Sequence, residues 1–218
     1  MWFPELGGST ASNSPIYQKK ATVVATEAHI SSGYDDSPVT HIHMIADVDM
    51  EGDWRLMHMT LKAPDFVAAP LMLAEEQCQI VALSFSGDKV YPMKFVPLWP
   101  NLRQAAKLAK GADSEEITMQ ALIVDKVETI ALDSIGYSKA EVHFRVALLC
   151  ADGSTQSAFF KLKPHDCSNV LVPVGEKVTL TFKESYDEPG CLNVKQLGVD
   201  WAAFRKAQLA KRAVEIAA

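Results

Sequence analysis

The chain is short of the features that announce an activity. Its 218 residues hold four cysteines, Cys78, Cys150, Cys167 and Cys191, and no two of them form a C-x-x-C pair. That scatter excludes a dense disulfide scaffold and a zinc ribbon, and it fits free thiols in a reducing compartment. No apolar run reaches the roughly 18–20 residues needed to cross a bilayer, and the opening Met-Trp-Phe-Pro-Glu lacks the basic start and apolar stretch of a signal peptide. A soluble cytoplasmic protein without membrane contact is the expectation. Also missing are Gly-x-Ser-x-Gly, the phosphate-cradling Gly-x-x-x-x-Gly-Lys-Ser/Thr and His-Glu-x-x-His. No catalytic residue, metal ligand or cofactor is therefore named, and the chain reads as a non-enzyme. Positive charge is scarce too: the net charge is −6, divided equally between residues 1–110 and 111–218. A protein that grips duplex DNA over its whole surface is usually basic, so that role is disfavoured, whereas a local groove for single strands is compatible with an acidic whole.

What is present is ordinary globular material, 48% hydrophobic and 22% charged, enough for one large core or two small ones. It is arranged twice. Gly33-Tyr34 precedes Ile42-His43-Met44, and Gly136-Tyr137 precedes Val142-His143-Phe144. Gly52 is answered by Gly153, Leu61-Lys62-Ala63-Pro64 by Leu162-Lys163-Pro164, and the segment ending at Phe85 by the one ending at Phe182. Trp99, Leu102 and Arg103 stand against Trp201, Phe204 and Arg205. Ordered matches with small changes of spacing are what loop insertions leave in a duplicated domain. The resulting division is a flexible N-terminal arm (1–17), a first domain (18–110), a polar linker (111–116) and a second domain (117–218). The arm carries Trp2 and Phe3 near its tip. It and the C-terminal helix are the candidate contacts for a homo-oligomer.

Each half alternates like β-structure. Ile42, Met44, Ala46 and Val48 fall on one side of a strand, and His41, His43, Asp47 and Asp49 on the other. Val142, Phe144, Val146 and Leu148 repeat the apolar side, with Glu141, His143 and Arg145 opposite. Five strands per half follow, near 21–31, 39–50, 54–62, 78–86 and 89–98, then 118–132, 140–151, 155–163, 177–184 and 191–199. A longer connection separates the third from the fourth, with a short helix expected around Leu71–Glu76. A mainly β fold of two tandem five-stranded barrels, each followed by a helix, is expected. This pattern resembles the five-stranded Greek-key barrel called the OB-fold, as found in tandem in single-stranded DNA-binding proteins. A generic duplicated β-sandwich is the alternative.

The resemblance implies binding and protection of single-stranded DNA in replication or recombination, with ligand across the second and third strands. The outward positions there in the second half are Phe159, Lys161 and Lys163, beside His143 and Arg145, with Phe160 turned into the core. A ring among cations is what bases and phosphates require. The first half offers His58, Thr60 and Lys62, Trp54 and Arg55 at the strand start, and His43 alongside. Tyr34 and Tyr137 follow turn glycines in loops that border such a groove. The competing reading is a structural or assembly protein, such as a virion or adaptor component, whose outward faces touch protein. Two other patterns carry less. Asp47–Asp53 opens like a calcium loop, but His58 stands where the bidentate glutamate belongs and the flanks alternate like strands, which makes it a hairpin end. His41-x-His43 is read as surface histidine rather than a metal site.

Overall fold

The computed structural model describes residues 16–32, 36–63, 65–103, 116–133, 135–163, 171–184 and 188–217. Alternation in the sequence becomes ten strands: β1 (Tyr17–Ser32), β2 (Pro38–Asp49), β3 (Trp54–Lys62), β4 (Gln77–Ser86), β5 (Lys89–Pro97), β6 (Ile117–Leu132), β7 (Ser138–Leu149), β8 (Thr155–Leu162), β9 (Lys177–Glu184) and β10 (Leu192–Val199), followed by helix α1 (Trp201–Ala217). The fold is mainly β, as expected. Tyr34 and the stretch 104–110, expected to hold the first helix, lie outside the described residues, as does the N-terminal arm to residue 15.

The first five strands close into a barrel in the order β1-β2-β3-β5-β4. Ile42, Met44, Ala46 and Val48 of β2 and Met57, Met59 and Leu61 of β3 fill it. Closure is made by a parallel contact between β3 and β5, where the His58 N–H donates to Asp88 O (2.6 Å) beside the His58–Lys89 pair. The acidic run at the β2–β3 turn is a hairpin: Gly52, at φ +93°, donates its N–H to Asp49 Oδ1 (2.7 Å). The segment between β3 and β4 forms a 3-10 turn at Ala69–Leu71 in place of the helix expected around Leu71–Glu76. Phe66, Val67, Leu71 and Met72 from this segment are buried in the barrel core.

The last five strands lie in the order β10-β9-β6-β7-β8. Their registers run parallel to the first set: Ala21 pairs with Val48 and Cys78, Ala121 with Leu148 and Val178, and a bulge follows Val23 in β1 and Ile123 in β6. Val178 thus takes the place of Cys78, and Phe182 that of Ala82. The sequence match of Phe85 with Phe182 is out of register, because pairing to the first strand of each sheet, invisible locally, sets the frame.

This second sheet is not zipped shut, contrary to the expected second closed barrel. Its edges, β8 and β10, meet at one parallel bridge, Phe159–Cys191, where the Phe159 N–H donates to Gly190 O (3.0 Å). Two residues before Phe159 on the β8 edge, Ser157 is taken by the chain leaving the first barrel. Arg103 N–H donates to Ser157 O (2.8 Å), Ser157 N–H to Asn101 O (3.0 Å), and the Ser157 hydroxyl to Pro100 O (3.0 Å). The matched segments after Trp99 and Trp201 therefore part company. Asn101 takes φ +55°, which no helix accommodates, and Leu102 bridges to β8. After Trp201 the helix forms, with Asp200 Oδ1 accepting from Ala203 N–H (2.9 Å) as an N-cap.

Candidate nucleic-acid interface

Both sheets present an outward face across their second and third strands, and the two have opposite fates. On the second sheet, His143 lies opposite Lys161 and Arg145 opposite Phe159, so the expected strand register holds. The expected exposure does not. Phe159 and His143 are both 0% exposed. Phe160 fills the second core, stacked on Phe144 (centroids 4.9 Å apart), while Phe159 belongs to the core of the first barrel. Each phenylalanine is buried, on opposite sides of one strand.

The covering layer is the first barrel's β3–β4 segment and Trp99. Trp99 meets the Phe159 ring edge-on at 5.8 Å, and the Arg145 guanidinium lies 3.9 Å above the Trp99 ring. Glu76 binds the group together: it accepts from Arg145 Nη1 (2.7 Å), Trp99 Nε1 (2.9 Å) and Leu73 N–H (3.0 Å). His143 Nδ1 donates to Val67 O (2.9 Å), leaving Nε2 buried without a hydrogen bond, 3.8 Å from Glu141 Oε2. Burial pulls this imidazole below the ordinary histidine value, against the hydrogen bond to Val67 and the nearness of Glu141, which raise it. Lys161 Nζ stands 3.0 Å from the same Glu141 oxygen. Phe159, His143 and Arg145 are thus internal contacts, because apolar area and a guanidinium–indole stack are worth more against protein than against water, while Lys161 stays half-buried beside Glu141. Lys163 and Tyr137 stay exposed, Tyr137 at 67%, on a loop held to the first barrel by the Ser138 hydroxyl donating to Pro38 O (2.5 Å).

The first barrel's face is open. Cross-strand register sets out its rows: His29, His41 and Lys62; Glu27, His43 and Thr60; Ala25, Ile45 and His58, with Lys89 next on β5. Beyond them lie Asp47 beside Leu56 and Asp49 beside Trp54. A groove of about 710 Å³ runs over the middle rows and is walled on the far side by Lys89 and Tyr91. Tyr91 and Trp54 are 56% and 52% exposed, so two rings are available to a planar ligand. His29 and His43 meet edge-on at 5.3 Å, and His41 Nδ1 is 2.7 Å from the Ser31 hydroxyl. His41 is held below the ordinary histidine value by partial burial, then by Lys62 and His43.

Among the first-half residues expected at the site, His43, His58, Lys62 and Trp54 share this face. Arg55 does not: β3 alternates, so Arg55 falls on the other series from Trp54, and its guanidinium is bonded to Asp53 (2.8 Å). Tyr91, Lys89, Glu27 and His29 were missed in the sequence because β1 and β5 border the groove only after the barrel closes. Among the described residues no cluster of three metal-ligating side chains forms, and no helix is long and apolar enough to cross a membrane. Cys78 and Cys150 are free thiols.

The closed strand order of the first sheet, β1-β2-β3-β5-β4, is that of a five-stranded OB-like barrel. Similar solved structures include the wild-type single-stranded DNA binding protein from Thermus aquaticus, 10% identical, and a deletion mutant of it, 9% identical. Each alignment covers 84% of this chain, with 91% of the wild-type chain and 92% of the mutant, at a TM-score of 0.30. No protein-family model and no curated protein matches the chain.

Proposed function

We propose that the protein binds single-stranded nucleic acid on the open face of the first barrel, by sequestration without chemistry. The observation that carries this reading is the exposed groove across β1, β2, β3 and β5 lined by the Tyr91 ring, Lys89, His43 and His58, with Lys62 exposed in the neighbouring row beside His41. Bases stack on rings at little sequence cost, and cations follow the phosphates. Tyr137 and Lys163 extend the contact from the second half. The two halves are read as a tandem duplication of an OB-like domain, divided at the linker 111–116, in which the second copy has given its equivalent face to the first. One strand then binds per chain, over a site within the about 4–16 nucleotides typical of a single OB-fold. Roles in replication or recombination fit such sequestration.

A titration with labelled oligothymidine at low and high salt tests this. Affinity is expected to fall with salt at about −0.7 per phosphate contact, with one oligomer bound per chain. Tyr91→Ala should cost about 1–3 kcal/mol of binding while leaving the fold intact. Absence of binding at micromolar protein, or affinity indifferent to salt, favours the structural or assembly reading. For that reading the specific support is the apolar and acidic end of the same face, Trp54 and Leu56 beside Asp47 and Asp49, which suits a protein partner.

A further inference from the structure

Four of the six histidines in the chain, His29, His41, His43 and His58, stand on the open face of the first barrel. They form no metal cluster and serve no core. The charged groups facing them are few. Glu27 and His29 come from β1, with Glu27 Oε1 3.3 Å from His29 Nε2. Asp47 continues β2 beyond the histidines, Lys62 ends β3 opposite His41, and Lys89 lies opposite His58 with Asp88 beside it in the β4–β5 turn. With neutral imidazoles the two lysines and the facing carboxylates roughly cancel, so the groove offers a phosphodiester strand little net attraction. Each imidazole is close to another positive or titrating group: His41 to Lys62, His43 to His29, His58 to Lys89. Protonating His41 meets burial and the charge of Lys62, and a row of phosphates laid along the face would offset that repulsion.

We propose that these four histidines are phosphate-binding residues that act as imidazolium groups, so that taking up a single-stranded polyanion is coupled to taking up protons. This rests on the reading of the groove as a nucleic-acid site and adds to it the ligand atoms and the regulation. By linkage, a ligand that binds the protonated groove better must raise the affinity of the groove for protons, and affinity for the strand must rise as pH falls through the histidine range. Lys62, Lys89 and Tyr91 supply the part of binding that does not titrate there.

The experiment uses the full chain and a rhodamine-labelled oligothymidine at constant salt. The affinity is expected to rise about tenfold or more between about pH 8 and about pH 6. Calorimetry at about pH 7 in two buffers of different ionisation enthalpy should register uptake of about one proton or more per strand bound. The combined variant His29→Gln, His41→Gln, His43→Gln, His58→Gln should lose the pH dependence, its affinity staying at or below the wild-type value at about pH 8 throughout. Binding that is independent of pH with no proton uptake in the wild-type chain overturns the inference and leaves the nucleic-acid reading standing. So does a pH slope retained in the fourfold variant. No binding at any pH overturns the nucleic-acid reading itself.

Discussion

Phe159 shows how a single side chain can be placed correctly on its strand and wrongly in the molecule. Its place on the same side as Arg145 follows from alternation, but its ring is enclosed by Trp99 rather than open to a base. Phe159→Ala should therefore destabilise the protein by about 3–5 kcal/mol in denaturant unfolding, and the folded fraction should bind oligonucleotide as the parent does. Phe160→Ala, in the other core, should cost a similar amount. His143 makes a second residue-scale prediction. Its folded value is lowered by burial, so between that value and the ordinary one near about 6.5 the unfolded chain holds more protons than the folded one. Stability from this site is complete above about pH 7 and is lost as pH falls through that window. His143→Asn keeps a donor for Val67 O without the titration. The slope of unfolding free energy against pH between about 7 and 5 should be shallower in that variant. An unchanged slope would assign the acid sensitivity elsewhere.

At the scale of elements, the connections decide more than the strands. Gly190 lies where the second sheet's β8 and β10 meet and where the chain from the first barrel crosses. It has φ +83°, and an added Cβ would come within 2.5 Å of Leu102 Cδ1 and 2.8 Å of Arg103 O. Gly153, at φ +80° in the β7–β8 hairpin, has open space around it. Both substitutions to alanine carry the left-handed backbone cost of about 1–2 kcal/mol, and only Gly190→Ala adds a steric clash with backbone. Gly190→Ala should thus lower the denaturation midpoint clearly more than Gly153→Ala. Equal losses would mean that the crossing of residues 101–103 does not bear on β8. The same crossing explains why the second sheet is not closed as the first is: on β8, Ser157 already spends its backbone groups on Asn101 and Arg103.

For the whole molecule, the contact between the sheets is built like a core rather than like a wet surface. It buries an aromatic pair, a stacked guanidinium and a carboxylate that accepts three hydrogen bonds, and it is extended by Ile130 N–H donating to the Thr40 hydroxyl (2.8 Å). Two sheets joined in this way should unfold together. Differential scanning calorimetry should give one transition whose calorimetric and van't Hoff enthalpies agree, and Arg145→Ala should lower its midpoint by leaving Glu76 short of its charged partner. Two resolved transitions in the parent chain would show that the sheets are energetically independent. On the proposed reading the binding surface is halved, because the second sheet's outward face is covered by the first barrel.

The sequence alone determined the strands, because burial on one side of a half-covered sheet leaves a period of two that reads directly from Ile42, Met44, Ala46 and Val48 and from their counterparts in β7. It also placed His143, Arg145, Phe159 and Lys161 on one side of β7 and β8, since alternation separates the two sides of a strand, whereas their pairing was set by the sheet. What it left open is which outward face meets solvent. Alternation separates two sides of a strand and is silent about what lies beyond either one, so Phe159 in a second core and His43 on an open face look alike in one dimension. Closure of the first barrel likewise decided that Lys89 and Tyr91 border the groove with His43, although about 45 residues separate them in sequence. The chain's crossing from β5 to β8, which no local pattern marks, decided that the second face would be spent on the first barrel.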